Sequence, residues 1–191
     1  PHHPQIVFAT DFGRAVKTVD GGRSWQQVYT RRREGRGWKS RGLDVTNVNS
    51  IVFDPFNLAR AYLTATDIGL MRSDDGGESW SSATDGAGIP AQWQSNTYWL
   101  AHDPKVPGRM WTAMSGVHDL PLEKMWRRRD PTAFNGGILR SDDSGKTWVA
   151  GHLEVGEAAV THLLVDPASP DDNRTLYACA FGHGVLKSTD G

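Results

Sequence analysis

The sequence predicts an all-β chain built from repeats of one four-stranded unit. Three observations carry this expectation. Short apolar runs bounded by Gly, Asp, Pro and Asn dominate, and no long stretch keeps the apolar period of a helix. An acidic, glycine-containing motif ending on tryptophan recurs along the chain. A strand running into Asp-Pro recurs in phase with it.

The motif reads Ser/Thr-x-Asp-x-Gly-x-Ser/Thr-Trp. It is complete in TVDGGRSW (Thr18 to Trp25), SDDGGESW (Ser73 to Trp80) and SDDSGKTW (Ser141 to Trp148), and a fourth copy, STDG, starts at Ser188 and reaches Gly191. Two small or apolar residues and a base precede each copy: AVK, LMR, ILR and VLK. The second landmark is SIVFDP (Ser50 to Pro55), YWLAHDP (Tyr98 to Pro104) and HLLVDP (His162 to Pro167), each followed by a further apolar strand, RAYLTAT, RMWTAM or TLYACA. The unit is strand, Asp-Pro turn, strand, connection, strand, motif, strand. Its length of about 50 residues and its four short strands mark a propeller blade. The expected fold is therefore a partial β-propeller of three to four blades in a single incomplete domain, with blades at approximately 1–30, 48–84, 97–151 and 160–191. The first blade lacks its innermost strand and the fourth stops inside its motif. A fragment of a propeller of about seven blades is expected, with the remainder in the full-length chain.

Local chemistry explains the motif. In a hairpin turn, Asp20, Asp75 and Asp143 can accept backbone N–H groups that would otherwise go unpaired. Gly22, Gly77 and Gly145 stand where the chain needs positive φ. Trp25, Trp80 and Trp148 open the outer strand and can pack a large ring beneath the turn. Asp190 begins the same arrangement in the fourth copy. The motif reads as a structural clasp. Its acids lack the alternating ligand spacing of a calcium loop, so no metal is expected.

Composition narrows the function classes. The net charge of −1 supplies no global field for nucleic acid or anionic lipid. The balance of 38% hydrophobic and 23% charged residues is that of a globular chain. No apolar run approaches the roughly 20 residues of a membrane helix, and PHHPQIVF lacks the form of a signal peptide. The lone Cys179 gives no internal disulfide and no cysteine zinc cluster; within TLYACAFG it reads as a buried small hydrophobe. No phosphate loop, dinucleotide fingerprint or nucleophile elbow is present, so no cofactor is expected.

Strand parity sorts the loops. In an up-and-down sheet the Asp-Pro turns and the clasps share one face. The long irregular segments Thr30 to Asn47, Ala83 to Thr97 and Ser115 to Gly137 are then expected on the other, where variable loops over a rigid scaffold carry function. Trp38, Trp93 and Trp126 lie in these segments, and with Gln92, Gln94 and Asn96 they would suit the apolar face and polar rim of a sugar ring; each indole could equally anchor its own loop. The basic runs Arg31 to Arg41 and Arg127 to Arg129 form a ligand-facing or partner-facing patch, with Arg127 the candidate contact. His118 and Asp119 in GVHDLP, with His183 in FGHGV, could meet a ligand or make an acid–base pair.

The repeated motif and the blade pattern around it resemble the Asp-box, or bacterial neuraminidase repeat, of sialidases, the sortilin ectodomain, xyloglucanases and a photosystem II assembly factor. The resemblance covers nearly the whole chain and is greatest to the xyloglucanases. It implies an extracellular or periplasmic protein whose loop face binds a polysaccharide or oligosaccharide and, in the enzyme reading, hydrolyses it. In xyloglucanases a motif similar to Thr-Asp-Ile-Gly-Gly carries one catalytic carboxylate. The matching stretches are ATDIGLM, which places Asp67, and ATDFGRA, which places Asp11. A glycosidase needs two carboxylates roughly 5–9.5 Å apart, and the resemblance puts the second in another propeller, outside this chain. The sialidase motif Arg-Ile-Pro is absent. The rival reading is a non-catalytic propeller that grips a protein or peptide.

Overall fold

The computed structural model describes residues 4–11, 14–27, 30–35, 37–40, 46–85, 88–120, 122–130, 132 and 134–191; side chains at 10, 11, 14, 15, 30, 38, 40 and 125 fall outside the description. The chain folds as antiparallel sheets whose strands follow one another in sequence order. The first sheet holds β1 (Val7–Asp11), β2 (Arg14–Thr18) and β3 (Gln26–Gln27). A small hairpin follows, β4 (Thr30–Arg32) and β5 (Trp38–Ser40). The second sheet holds β6 (Val48–Asp54), β7 (Asn57–Ala65), β8 (Gly69–Ser73) and β9 (Ser81–Ser82). The third holds β10 (Asn96–His102), β11 (Met110–Ser115), β12 (Gly137–Ser141) and β13 (Val149–Ala150). The fourth holds β14 (Val160–Val165), β15 (Leu176–Ala180) and β16 (Gly184–Ser188). This is a partial β-propeller. Single 3₁₀ turns stand at Ala91–Trp93 and Glu123–Met125.

Burial records how the sheets stack. Every residue of β11 is buried, because the third sheet is covered on both faces. Its core toward the second sheet contains Tyr62, Leu70, Trp93, Leu100, Met110, Leu139 and Trp148, and its core toward the fourth contains Trp111, Ala113, Leu163, Leu176 and Ala178. In β15, by contrast, Leu176, Ala178 and Ala180 are buried while Cys179 between them is exposed. The expectation of a buried Cys179 is thus corrected. Strand alternation turns it to the outer face of the fourth sheet, away from the third. Ile51 and Phe53 of β6 are likewise exposed on the second sheet's other face.

Each clasp closes on hydrogen bonds within its own eight residues. In the third, Asp143 Oδ1 accepts the Thr147 amide at 2.9 Å and Oδ2 accepts the Thr147 hydroxyl at 2.6 Å. Asp75 does the same with Ser79, and Asp20 with Ser24. The leading Ser or Thr, whose role sequence reasoning missed, donates to the Asp and accepts the glycine amide: Ser141 takes Gly145 N–H at 2.8 Å. Gly22, Gly77 and Gly145 all have positive φ, at 92°, 91° and 76°. A Cβ on Gly145 would stand 3.1 Å from the Trp148 ring and 3.3 Å from the Tyr62 ring, so this position packs as well as turns. Ring burial varies with neighbours: Trp148 is 3% exposed beneath its turn, Trp25 44%.

Hydrogen bonds also tie sheet to sheet. Tyr62 Oη donates to the Ser144 carbonyl at 2.7 Å and Trp111 Nε1 to the Gly191 carbonyl at 3.0 Å. The Asp-Pro turn of the third sheet presents Asp103 to Arg174 of the fourth, at 2.7 and 2.8 Å in a fork. Both partners are fully buried.

Strand register separates two faces. β7 pairs with β8 from Ala61↔Ser73 to Ala65↔Gly69, so the Asp-Pro turn and the clasp fall at one end and Asp67 at the other. The third and fourth sheets repeat this with Met110↔Ser141 and Leu176↔Ser188. One segment departs from expectation. Part of Thr30 to Asn47 doubles back as the β4–β5 hairpin, and Arg33 reaches Asp75 at 2.6 Å on the clasp side. Lys39 pairs with Glu78 there as well. Charge pairing with the acidic second clasp holds the hairpin tip on that face.

Candidate functional site

Asp67 follows β7 in the tight turn Thr66–Asp67–Ile68–Gly69. Ile68 N–H bonds back to Thr66 C=O at 2.9 Å, and Asp67 has φ 69°. This three-residue turn is a strained geometry for a residue with a side chain. Neighbouring elements hold it. Asn96 Oδ1 accepts the Asp67 amide at 3.1 Å, Thr66 N–H reaches Asn47 C=O at 2.9 Å, and Gly69 N–H reaches Ser95 C=O at 3.0 Å. Gly69 itself has φ 70°, and a Cβ there would stand 2.2 Å from the Gln94 carbonyl oxygen. The glycine of Thr-Asp-Ile-Gly is therefore required both for its dihedral and for the closeness of the next sheet. With its backbone fixed, the Asp67 carboxylate extends into solvent, its side chain 68% exposed.

His118 comes to Asp67 from the long segment after β11. Its Nδ1 stands 3.9 Å from Asp67 Oδ1 and 3.4 Å from Asp119 Oδ2. Asp119 has φ 54°, and its other oxygen accepts Asn47 Nδ2 at 3.2 Å. The imidazole is thus flanked by two carboxylates, each positioned by a different sheet. Tyr98 supports the loop from below, donating to Val117 C=O and accepting Leu120 N–H at 3.4 Å. Burial pushes the Tyr98 phenol up to about 12, so it acts as a neutral donor.

Beside this cluster lies an open hollow of about 350 Å³ lined by Asn49, Tyr98, Trp99, Leu120, Thr161, His162 and Phe181. The Trp99 and His162 rings lie against each other, 3.9 Å between centroids and 32° apart. Trp126 meets Phe181 edge-on at 5.0 Å and donates its Nε1 to Leu120 C=O at 2.7 Å. A second hollow, of about 400 Å³, lies on the clasp side at Arg31, Arg32, Arg33, Lys39, Asp75 and Glu78. There Arg33 and Lys39 are already committed to Asp75 and Glu78.

The other expected residues fall as follows. Trp93 is a correction: it is 5% exposed, and the ring presses on Gly137, where a Cβ would come within 2.7 Å. It is a loop anchor, with Nε1 3.3 Å from Glu157 Oε2. Gln92 is exposed and reaches Glu157 Oε1 at 3.4 Å. Gln94 and Asn96 are spent on Ile89 C=O and on the Asp67 turn. Trp126 is half-buried and Arg127 exposed. His183 does not join His118. It lies near enough to Asp130 to help hold that carboxyl below its usual range, after the Thr132 hydrogen bonds. Its Nε2 is buried without a protein partner. The backbone of Asp11 pairs with Arg14 and that of Trp38 with Arg32, and both side chains lie outside the described residues. No cluster of three His, Cys, Asp or Glu among the described residues could hold a metal ion. Sequence reasoning missed Tyr98 and Trp99 of β10, His162 of β14 and Phe181 just after β15, which stand in or beside apolar runs that read as sheet interior.

No family model matches the chain. A xyloglucanase of Hypocrea jecorina (strain QM6a) is 33% identical over 156 residues, taking in 75% of this chain and 17% of that protein. A xyloglucanase of Paenibacillus sp is 34% identical over 135 residues, taking in 65% of this chain and 12% of that protein. The chain thus spans less than a fifth of the length of the curated relatives it matches. Among solved structures, an ancestral GH74 enzyme superposes with a TM-score of 0.57 at 19% identity, over 100% of this chain and 22% of that one. The fold is that of a β-propeller, and the sequence likeness is to propellers of the glycoside-hydrolase kind.

Proposed function

We propose that this chain is part of an Asp-box propeller whose loop face binds a polysaccharide, and that Asp67 supplies one of the two carboxylates that hydrolyse it. The observation carrying this is the Asp67 turn. A solvent-directed carboxylate is locked by Asn47 and Asn96 in a strained backbone, beside His118 and an aromatic hollow. Such a carboxylate can take a proton from an attacking water while the hollow orients the sugar. Similarity to two xyloglucanases supports a β-glucan backbone as the substrate. The repeated Ser/Thr–Asp clasp geometry supports the Asp-box assignment. The acid partner comes from outside this chain, as does the remainder of the ring. Asp11 stands as the second choice for the same role, on its matching Thr-Asp-x-Gly motif.

The test is turnover of xyloglucan by the full-length protein. Asp67→Asn lowers kcat by about 10²-fold or more while leaving binding in place. Unchanged turnover in both Asp67→Asn and Asp11→Asn removes the assignment.

One observation favours a second reading. Arg127, Arg128 and Arg129 are all exposed and follow Trp126, which packs on the hollow's Phe181, a surface that fits an acidic protein segment. Under that reading the loop face binds a peptide and Asp67→Asn changes affinity, with no hydrolysis to lose.

A further inference from the structure

Two asparagines join the Asp67 turn to the segment that carries His118. Asn96 opens β10 and is 1% exposed. Its Oδ1 accepts the Asp67 amide at 3.1 Å, and its Nδ2 donates to the Ser115 carbonyl at 3.1 Å. Asn47 makes the second join. Its carbonyl accepts the Thr66 amide at 2.9 Å, while its Nδ2 donates to Asp119 Oδ1 at 3.2 Å. Thr46 adds a bond from its Oγ1 to the Thr66 carbonyl at 2.5 Å. Each asparagine thus holds the turn with one group and the 115–119 segment with another. The spacing between Asp67 and His118 is set by the scaffold on both flanks.

The segment is shaped for this approach. Asp119 adopts φ 54°, a strained angle for a residue with a Cβ, and its carbonyl accepts the Leu122 amide at 2.8 Å. Ser115 Oγ accepts the Val117 amide at 3.0 Å and donates to the Asn135 carbonyl at 2.5 Å. Tyr98 holds Val117 and Leu120 from beneath. So fixed, His118 turns Nδ1 to both carboxylates, 3.4 Å from Asp119 Oδ2 and 3.9 Å from Asp67 Oδ1. Ring geometry leaves Nε2 facing away from them. One N–H at Nδ1 lets two negative groups share a donor. Without it, like charge would turn the freer of the two away. That one is Asp67, its side chain 68% exposed against 21% for Asp119.

We propose that His118 is a positioning residue for Asp67. Its Nδ1–H, anchored on Asp119, fixes the direction in which the Asp67 carboxylate meets the attacking water. The separation of 3.9 Å is long for a hydrogen bond. It shortens when a bound ligand clears water from the carboxylate, because such contacts tighten in the substrate complex. The inference deepens the proposed function and rests on Asp67 as the base. It is distinct from a ligand contact, which would use Nε2. Every residue it invokes belongs to the second and third sheets or to the segments that flank them.

Turnover of xyloglucan by the full-length protein, with kcat and KM resolved, tests it. His118→Asn offers an amide N–H near the place of Nδ1, and His118→Gln near that of Nε2. The expected result is that His118→Asn keeps kcat within about 3-fold of the parent. His118→Gln and His118→Ala lower kcat by about 10- to 10²-fold with KM unchanged. Adding Asp119→Asn to His118→Ala removes the repelling charge and recovers part of kcat. The His118 side chain is 48% exposed, so the melting temperature of each His118 variant stays as in the parent. Equal losses in His118→Asn and His118→Gln overturn the positioning role, as does a raised KM with kcat preserved in His118→Ala. Asp67→Asn separates this inference from the reading beneath it. Turnover lost in Asp67→Asn but kept in His118→Ala overturns the positioning role alone, whereas turnover kept in Asp67→Asn removes the base and the positioning role with it.

Discussion

The Tyr62 phenol donates to the Ser144 carbonyl across a sheet boundary at 2.7 Å, with the Tyr62 ring over the glycine and indole of the same clasp. The clasp therefore does two jobs. It closes its own hairpin, and it presents a fixed carbonyl by which the preceding sheet sets its register.

Tyr62→Phe removes this hydrogen bond and leaves the ring. Because Arg72 still reaches the Ser144 oxygen at 3.0 Å, the carbonyl is not orphaned. The expected loss is about 1 kcal/mol in urea unfolding. Tyr62→Ala also empties the core beside Trp148 and Met110, and the loss rises to about 3–5 kcal/mol.

Arg174 and Asp103 form a forked pair with no solvent exposure. Arg174→Met leaves the Asp103 carboxylate buried, with only the Lys105 and Val106 amides and a longer approach from Arg109 at 3.7 Å. The expected cost is on the order of 3–5 kcal/mol. Arg174→Met combined with Asp103→Asn recovers part of it, because the stranded charge is gone. Thermal unfolding of the three proteins checks this ordering.

Acid weakens the fold through its clasps. Burial alone would raise the Asp143 carboxyl, but hydrogen bonds from Thr147, Ser141 and Lys146 outweigh it and lower it to about 2 from 3.8. Asp103 is also lowered to about 2, where burial is outweighed by Arg174 and two backbone amides. Both carboxyls are depressed in the folded state. The stability they add is thus fully present above about pH 4 and is lost as pH falls toward about 2. The melting temperature drops through this window, and the drop is shallower in Asp143→Asn, which starts from a lower value at neutral pH.

Gly69→Ala meets both a positive φ and the Gln94 carbonyl oxygen. The chain loses about 1–3 kcal/mol of stability, and the turn that aims Asp67 shifts. In the proposed enzyme kcat falls with it, while Gly156→Ala, at positive φ but in open space, lowers stability without touching turnover.

The clasps were legible because all their partners lie within eight consecutive residues, so the repeat encodes its own hydrogen bonds. Asp67 was legible for a related reason, its turn being a local motif. Its surroundings were not. Asn47 reaches it from the start of the adjacent strand, while His118 and Asn96 come from the next sheet and only the stacking of sheets brings them near. Burial misled in the same way. Trp93 sits in a loop but presses on Gly137 of β12, and Cys179 sits in an apolar run but takes the outward position of a sheet covered on one side. Trp25 obeys its clasp, yet stays exposed because the cover that Tyr62 gives Trp148 depends on a neighbouring sheet. The hairpin at Arg33 was not legible, because its partners, Asp75 and Ser79, are remote in sequence.

The proposed function puts ligand chemistry on the face opposite the clasps. Hydrogen exchange of the full-length protein with and without a xyloglucan oligosaccharide tests it most directly. Slowed exchange is predicted at Thr66 to Ile68, Gly116 to Leu120 and Phe181 to His183, with the clasps at Ser73 to Trp80 and Ser141 to Trp148 unchanged. Protection confined to the clasps and the Arg33 hairpin, with the Asp67 turn unaffected, would contradict it.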